Sequence, residues 1–282
     1  MRWTRLAWCV VVLGMPAFAA CGATGQGIQF GSADPPPTVR PPEPSKASAQ
    51  EVGVLTLLAD ALSNLDLDEA QHKRVVALTD EIKRRHRGAL GNRTMLAVDM
   101  AEAVESGTVD EAKLLATADA LGHARAEVGS GDGKALEELH GLLKPDQRAK
   151  LAAALSTKAD QLKLDDFESR YGIWRLEVRI PPEQDARIEP KLKADAASAE
   201  SAKAERDAWQ KRVRATAAAF KEATFSGALL MDPDPIGTTV GRMKRTVAFL
   251  KIVVPELTED QRARAATFIR AEAGVSVKPR EE

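Results

Sequence analysis

A short pattern occurs four times in this 282-residue chain and limits its fold more than any other feature. Each copy has an apolar residue, then a residue typical of a helix start, then Gln. The copies are Leu67, Asp68 and Gln71; Leu143, Pro145 and Gln147; Ile180, Pro182 and Gln184; and Leu257, Thr258 and Gln261. Thr and Asp are good N-caps, Pro suits the first helical position, and Gln at the third position bonds back to the N-cap amide. The pattern therefore predicts four helix starts in which the Gln acts as a cap.

The spacing of the copies predicts how the chain is divided. Gln71 and Gln147 are 76 residues apart, and Gln184 and Gln261 are 77 residues apart. Two nearly equal intervals indicate two similar units in tandem, each opened and closed by the pattern. We therefore predict a first helical unit over residues 51–165 and a second over residues 166–274.

Composition and apolar spacing predict an all-α fold. Aromatic residues make up 4% of the chain and hydrophobic residues 44%, so helices would pack through small aliphatic side chains. Apolar residues recur three and four positions apart, as at Val75, Leu78 and Ile82. The longest helical stretch is expected from Glu183 to Phe225, and Pro190 should kink it or move its start.

Three segments are predicted to lie outside the helices. Gly107 is expected to end a helix and Thr108 to cap the next one, and the Gly-rich run 129–133 indicates a loop. Apolar and charged residues alternate near the end of the stretch 167–180, which is strand periodicity. Because no partner strand is evident, we expect an extended connector packed on the helices.

The N-terminus has the form of an export signal. Arg2 and Arg5 precede an apolar run over residues 6–15, which is too short to span a bilayer comfortably and ends in small residues. Residues 1–20 are therefore predicted to be a signal peptide.

Two cleavage sites compete after this signal. Cleavage after Ala19 fits an A-x-A site, whereas Phe18-Ala19-Ala20-Cys21 resembles a bacterial lipobox, which implies lipidation of Cys21. The lipobox resemblance, with Gly22 after the cysteine, implies an outer-membrane lipoprotein on the periplasmic side. The Pro-, Gly- and Ser-rich stretch 21–50 predicts a disordered tether, and residues 275–282 a charged tail.

Several function classes have no support in the sequence. The net charge of −1 gives no case for nucleic-acid binding, and both cysteines precede residue 22, so the body has neither a disulfide nor a thiol nucleophile. There is no phosphate loop, nucleophile elbow or catalytic constellation, so we expect no enzyme and no cofactor. The histidines are His72, His86, His123 and His140. No two of them have metal-ligand spacing along a helix, so no metal site is predicted, although one assembled in three dimensions stays open.

Basic residues between the copies are the candidate binding surface. They are Lys83, Arg84, Arg85 and Arg87 in the first unit, and Lys203, Arg206, Lys211, Arg212 and Arg214 in the second. Such residues would attract acidic or partly unfolded chains. The alternative is that they are solvated helix ends, where cations stabilise the helix dipole.

The four copies resemble the motif of the periplasmic LTxxQ family, which includes Spy-type chaperones and CpxP-type stress-response inhibitors. Leu257, Thr258 and Gln261 match it fully, and the other copies match it with Asp or Pro in place of Thr. The resemblance implies long-helix hairpins, two of which pair into a curved cradle for unfolded clients or a sensor domain. Two tandem units would then form a pseudo-dimer within one polypeptide.

The leading functional hypothesis is an exported, lipid-anchored chaperone that needs no ATP and binds unfolded or partly folded envelope proteins. It would touch the membrane through its N-terminal lipid alone. One alternative is a metal- or stress-sensing accessory protein, and another is a structural envelope lipoprotein with a fixed partner.

Overall fold

The computed structural model describes residue 62 and residues 65–161 and 167–275. These ranges contain nine α-helices and no strand, which confirms the all-α prediction. The helices are α1 (Glu69–Arg85), α2 (Arg87–Ser106), α3 (Glu111–Leu142), α4 (Pro145–Gln161), α5 (Phe167–Val178), α6 (Pro182–Lys193), α7 (Ala196–Ala219), α8 (Pro235–Val253) and α9 (Glu259–Glu272). Two 3₁₀ turns span Gly227–Leu230 and Val254–Glu256. The signal peptide, Cys21, the tether and all but the first residue of the charged tail lie outside the described residues.

The first hairpin is formed by α1 and α2 on one side and α3 on the other. Gly107, with φ +76°, ends α2 in the left-handed conformation that glycine adopts most readily. Asp110 caps α3 by accepting a 3.0 Å hydrogen bond from the Lys113 amide, so the prediction of Thr108 as the cap was wrong. Asp110 is the cap because its carboxylate reaches the backbone amide of the third residue of the helix.

The Gly-rich run 129–133 does not form a loop. It lies inside α3, whose 32 residues make it the longest helix in the described part, where 183–225 was expected. A Cβ on Gly227 would lie 2.0 Å from the carbonyl oxygen of Gly133, so the 3₁₀ turn crosses α3 in backbone contact. Gly227 therefore permits a close crossing, and the glycines of the run do not break the helix.

The stretch expected to be an extended connector is helix α5. Its buried side chains are Tyr171, Trp174 and Val178, at helical spacing, whereas Leu176 is 72% exposed. The alternating pattern predicted a strand because it included Leu176 in the buried face. Packing of Tyr171 and Trp174 edge-on against Phe249 fixes the helical choice.

The long stretch from Glu183 is two helices. Pro190 lies inside α6, and the break comes four residues later, at Ala194 and Asp195. Asp195 starts α7 by accepting a 3.1 Å hydrogen bond from the Ser198 amide. The break therefore depends on a helix cap and not on a kink at the proline.

The helices pack reciprocally between the two halves of the chain. Helix α3 lies along α8, α4 packs on α7, and α9 packs on α2. Two apolar clusters result. The first contains residues such as Val104, Leu114, Ile188 and Leu250, and the second contains residues such as Leu78, Leu136, Leu151 and Phe220. Each closing helix, α4 or α9, thus contacts the arm that belongs to the other half. No helix within the described ranges is long and apolar enough to cross a membrane.

Candidate functional site: two glutamine clasps and the basic arms

The structure joins the four motif glutamines in pairs. Gln71 Nε2 donates to Gln147 Oε1 at 2.8 Å, and Gln147 Nε2 donates back to Gln71 Oε1 at 3.0 Å. The second donor of each amide reaches a backbone carbonyl, that of Leu142 for Gln71 (2.8 Å) and that of Asp66 for Gln147 (2.7 Å). We call this arrangement the first glutamine clasp.

The second clasp repeats this pattern between Gln184 and Gln261, which are 77 residues apart. Gln184 Nε2 donates to Gln261 Oε1 at 2.9 Å, and Gln261 Nε2 donates back at 2.8 Å. The remaining donors reach the carbonyls of Glu256 and Arg179. In both clasps this carbonyl lies two residues before the helix cap of the partner copy.

The clasps also cap their helices. Complete capping boxes join Asp68 with Gln71 and Thr258 with Gln261, as predicted. Gln147 accepts from the Lys144 amide at 2.9 Å, which is half of a box. Pro181 has no amide hydrogen, so Gln184 lacks this bond and the second clasp has one hydrogen bond fewer.

Burial makes these amides costly to disturb. The four glutamines are 5–7% exposed, and their amide groups are hydrogen-bonded on both the donor and the acceptor side. A buried polar group without a partner costs about 1–3 kcal/mol. The glutamines therefore tie α1 to α4 and α6 to α9, a role that capping alone does not require.

Carboxylates with lowered pKa values brace the second clasp. The ammonium of Lys191, and then the guanidinium of Arg187, lower the pKa of the Glu256 carboxyl, whose own backbone carbonyl accepts from Gln184. The Tyr171 hydroxyl, and then Arg175, lower the pKa of Asp185.

The basic run of the first unit divides between surface and interior. Lys83, Arg84 and Arg87 are exposed, and Lys83 lies 4.0 Å from Asp80. Arg85 instead turns towards α3, where its Nη2 lies 3.3 Å from the buried carboxylate of Asp132. Arg85 is therefore a structural residue and not part of an exposed basic patch.

The basic residues of α7 also divide. Lys203 pairs with Asp207 along the helix at 2.6 Å, and Lys211 and Arg214 are exposed. Arg206 and Arg212 are half-buried, and Arg212 lines a groove between α7 and α8. The nine basic residues thus form no single surface.

The histidines are dispersed. His72 is exposed, His86 Nε2 lies 2.7 Å from Asp132, and His123 lies 3.5 Å from Asp119. His140 is buried between Phe220 and Phe225, with Nε2 3.0 Å from the Glu222 carbonyl. No group of three possible metal ligands occurs among the residues that the structure describes.

Sequence reasoning missed the partners of these groups. The carbonyls of Asp66, Leu142, Arg179 and Glu256 carry no side-chain signal, and the ion cluster of Glu205, Arg242 and Arg245 joins residues that are distant in the chain. The equal spacing of the glutamines was the one available clue to the clasps.

Comparisons with protein-family models, with curated proteins and with solved structures each return no match to this chain. The resemblance to the LTxxQ family therefore rests on the motif residues alone.

Proposed function

We propose that this chain is a non-enzymatic binding protein that holds partly unfolded envelope proteins without nucleotide. The observation that carries the proposal is the exposed surface where α1 meets α2. Leu90 and Met95, near the start of α2, are 37% and 59% exposed, and the exposed cations Arg84 and Arg87 are close to them in the sequence. Within the described part of the chain neither arginine has an ion-pair partner. Apolar side chains among free cations fit unfolded segments that are both apolar and acidic.

We further propose that residues 51–165 and 166–274 are tandem units of the LTxxQ type, arranged as a pseudo-dimer. Three features support this: the matching hydrogen bonds of the two clasps, the near-equal spacing of their glutamines, and the reciprocal packing of α4 on α7 and α9 on α2. In this arrangement α2 is fixed at both of its ends, so its exposed side chains stay accessible to a client. Export and lipidation at Cys21 place the protein at the outer membrane, facing the periplasm.

An aggregation assay tests the binding proposal. The purified mature chain should suppress aggregation of several unfolded clients at near-stoichiometric amounts. Burying Leu90 and Met95 against a client is worth about 1–2 kcal/mol in all, so L90S/M95S should weaken client affinity about tenfold.

The matched control makes the same change on α5, where Ile173 and Leu176 are also exposed. I173S/L176S should leave suppression near the level of the unmodified chain. Absence of suppression with every client would refute the proposal, and equal losses in the two variants would remove the assignment to α2.

A further inference from the structure

The first half of α7 is built differently from every other long helix. None of residues 197–208 is buried, and its face towards α8 carries small side chains such as Ala208. The corresponding arm α2, by contrast, buries Leu96, Ala97, Ala101 and Val104. We call residues 197–208 the strap.

The strap is anchored at both ends by apolar packing. Before it, Ile188 and Leu192 of α6 are buried in the first cluster. After it, Trp209 packs on the second cluster and Val213 is buried within that cluster. The strap therefore bridges two cores without contributing a buried side chain to either.

One carboxylate holds the strap to α8. Glu205 accepts from Arg242 Nε through one oxygen and from Arg245 Nη2 through the other, and all three side chains are less than 30% exposed. Arg245 also donates from Nη1 to the Ser201 hydroxyl at 2.9 Å. Among the described residues, these are the polar contacts that join the strap to α8.

A groove lies between the strap and α8. It has a volume of about 340 Å³, and its α8 wall is formed by Gly237, Thr238, Gly241 and Arg245. The groove therefore separates the strap from α8, whereas α2 and α3 are in close apolar contact. Little dispersion or hydrophobic free energy would be lost if the strap moved away.

We propose that the strap is a conformational device: a segment that opens and closes independently of the two cores, with the Glu205 ion cluster controlling the equilibrium. A helix of about twelve residues is marginal in water when it loses its tertiary contacts, so an open strap would also lose helical hydrogen bonds. Removing Glu205 leaves Arg242 and Arg245 partly buried without their counter-ion, which favours the open state. The proposal follows from the packing of α7 and does not depend on client binding.

Amide hydrogen exchange of the full mature chain, read by mass spectrometry, tests the proposal. E205Q should accelerate exchange in residues 198–207 about tenfold or more while residues 97–104 of α2 keep their protection. D207N is the matched control, because Asp207 lies two residues later and its one ion pair among the described residues is with Lys203 on the same helix. It should change strap exchange less than twofold.

R245Q provides a second variant, since it removes one of the two guanidinium partners of Glu205. Its acceleration of amide exchange in the strap should fall between the effects of D207N and E205Q. The proposal is overturned by unchanged strap exchange in E205Q, by equal acceleration in D207N, or by acceleration spread evenly over α2. An E205Q chain that does not fold would also overturn it, because the strap would then be inseparable from the cores.

Discussion

Gln71 and Gln147 bind each other through both of their side-chain amides, at 2.8 and 3.0 Å, across 76 residues of chain. The same relationship joins Gln184 and Gln261 across 77 residues. A pattern that predicts helix caps in the sequence therefore also forms the two tertiary contacts that join α1 to α4 and α6 to α9.

The two glutamines of one clasp should be coupled in their effects on stability. Q71L removes both hydrogen bonds that Gln147 exchanges with Gln71 and the donor to the Leu142 carbonyl, so we expect it to lower the free energy of unfolding by about 3 kcal/mol. The double variant Q71L/Q147L should lose about 1–2 kcal/mol less than the sum of the single variants, because it leaves fewer unpaired groups. Chemical denaturation of all three measures this coupling.

The matched control is Q210L. Gln210 is half-buried in α7 and has no hydrogen-bonding partner in the described part of the chain. We expect its effect to stay within about 0.5 kcal/mol. Strict additivity of Q71L and Q147L would show that the two amides do not act as a pair.

Alanine variants at two glycines distinguish the effect of close backbone contact from that of ordinary helix propensity. G227A would place a Cβ 2.0 Å from the Gly133 carbonyl oxygen, so we expect it to lose about 3 kcal/mol and to disturb the crossing of α3. G141A, in the same helix α3 with nothing within 4 Å, should instead stabilise the protein by about 0.5–1 kcal/mol. Thermal unfolding of both variants decides the point, and a stabilised G227A would contradict the crossing.

The helical register of α5 is tested by two alanine variants. W174A removes a buried ring that packs on Phe249 and should cost about 3–5 kcal/mol. L176A changes a side chain that is 72% exposed and should change stability by less than about 0.5 kcal/mol. An extended segment would bury both residues, so similar losses in the two variants would rule out the helix.

Acid should destabilise the protein through Asp185 and Glu256. Their folded-state pKa values lie below the ordinary 3.8 and 4.5, so the stability they provide is present above those values. It is lost as the pH falls through the lower, folded-state pKa values. We expect the free energy of unfolding to be flat from about pH 6 to 8 and to fall below about pH 4.5.

E256Q should reduce the acid-induced fall, because it removes the carboxylate that Lys191 and Arg187 stabilise while keeping the backbone carbonyl in the second clasp. E127Q is the control, since Glu127 is exposed on α3 and has no ion pair in the described part. The same acid dependence in E256Q and in the unmodified chain would disprove this assignment.

Local signals in the sequence predicted the fold class, the caps at Asp68 and Thr258 and the end of α2 at Gly107, because each depends on neighbouring residues. The expected loop at 129–133 and connector at 167–180 were wrong for a shared reason. The run in α3 stays helical and packs by backbone contact on the turn at Gly227, and the buried face of α5 packs on Phe249. Both partners are distant in the chain, so neither contact is visible in a local pattern.

For the candidate site, too, the sequence predicted exposed basic residues but not their partners from distant parts of the chain. Lys83, Arg84 and Arg87 are exposed as the basic run indicated, whereas Arg85 turns inward because Asp132 of α3 supplies a counter-ion. Nothing near Glu205 in the sequence indicates that Arg242 and Arg245 would meet it.

The clasps also bear on the order of folding. Each joins residues more than 75 positions apart, and closing a loop of that length costs about 4 kcal/mol of chain entropy before the contact gives any return. We therefore expect local helices and their nearest neighbours to form first and the clasps to form late. Interactions that form late act mainly on the unfolding rate, so we expect the four glutamines to affect how long the folded protein persists more than how quickly it forms.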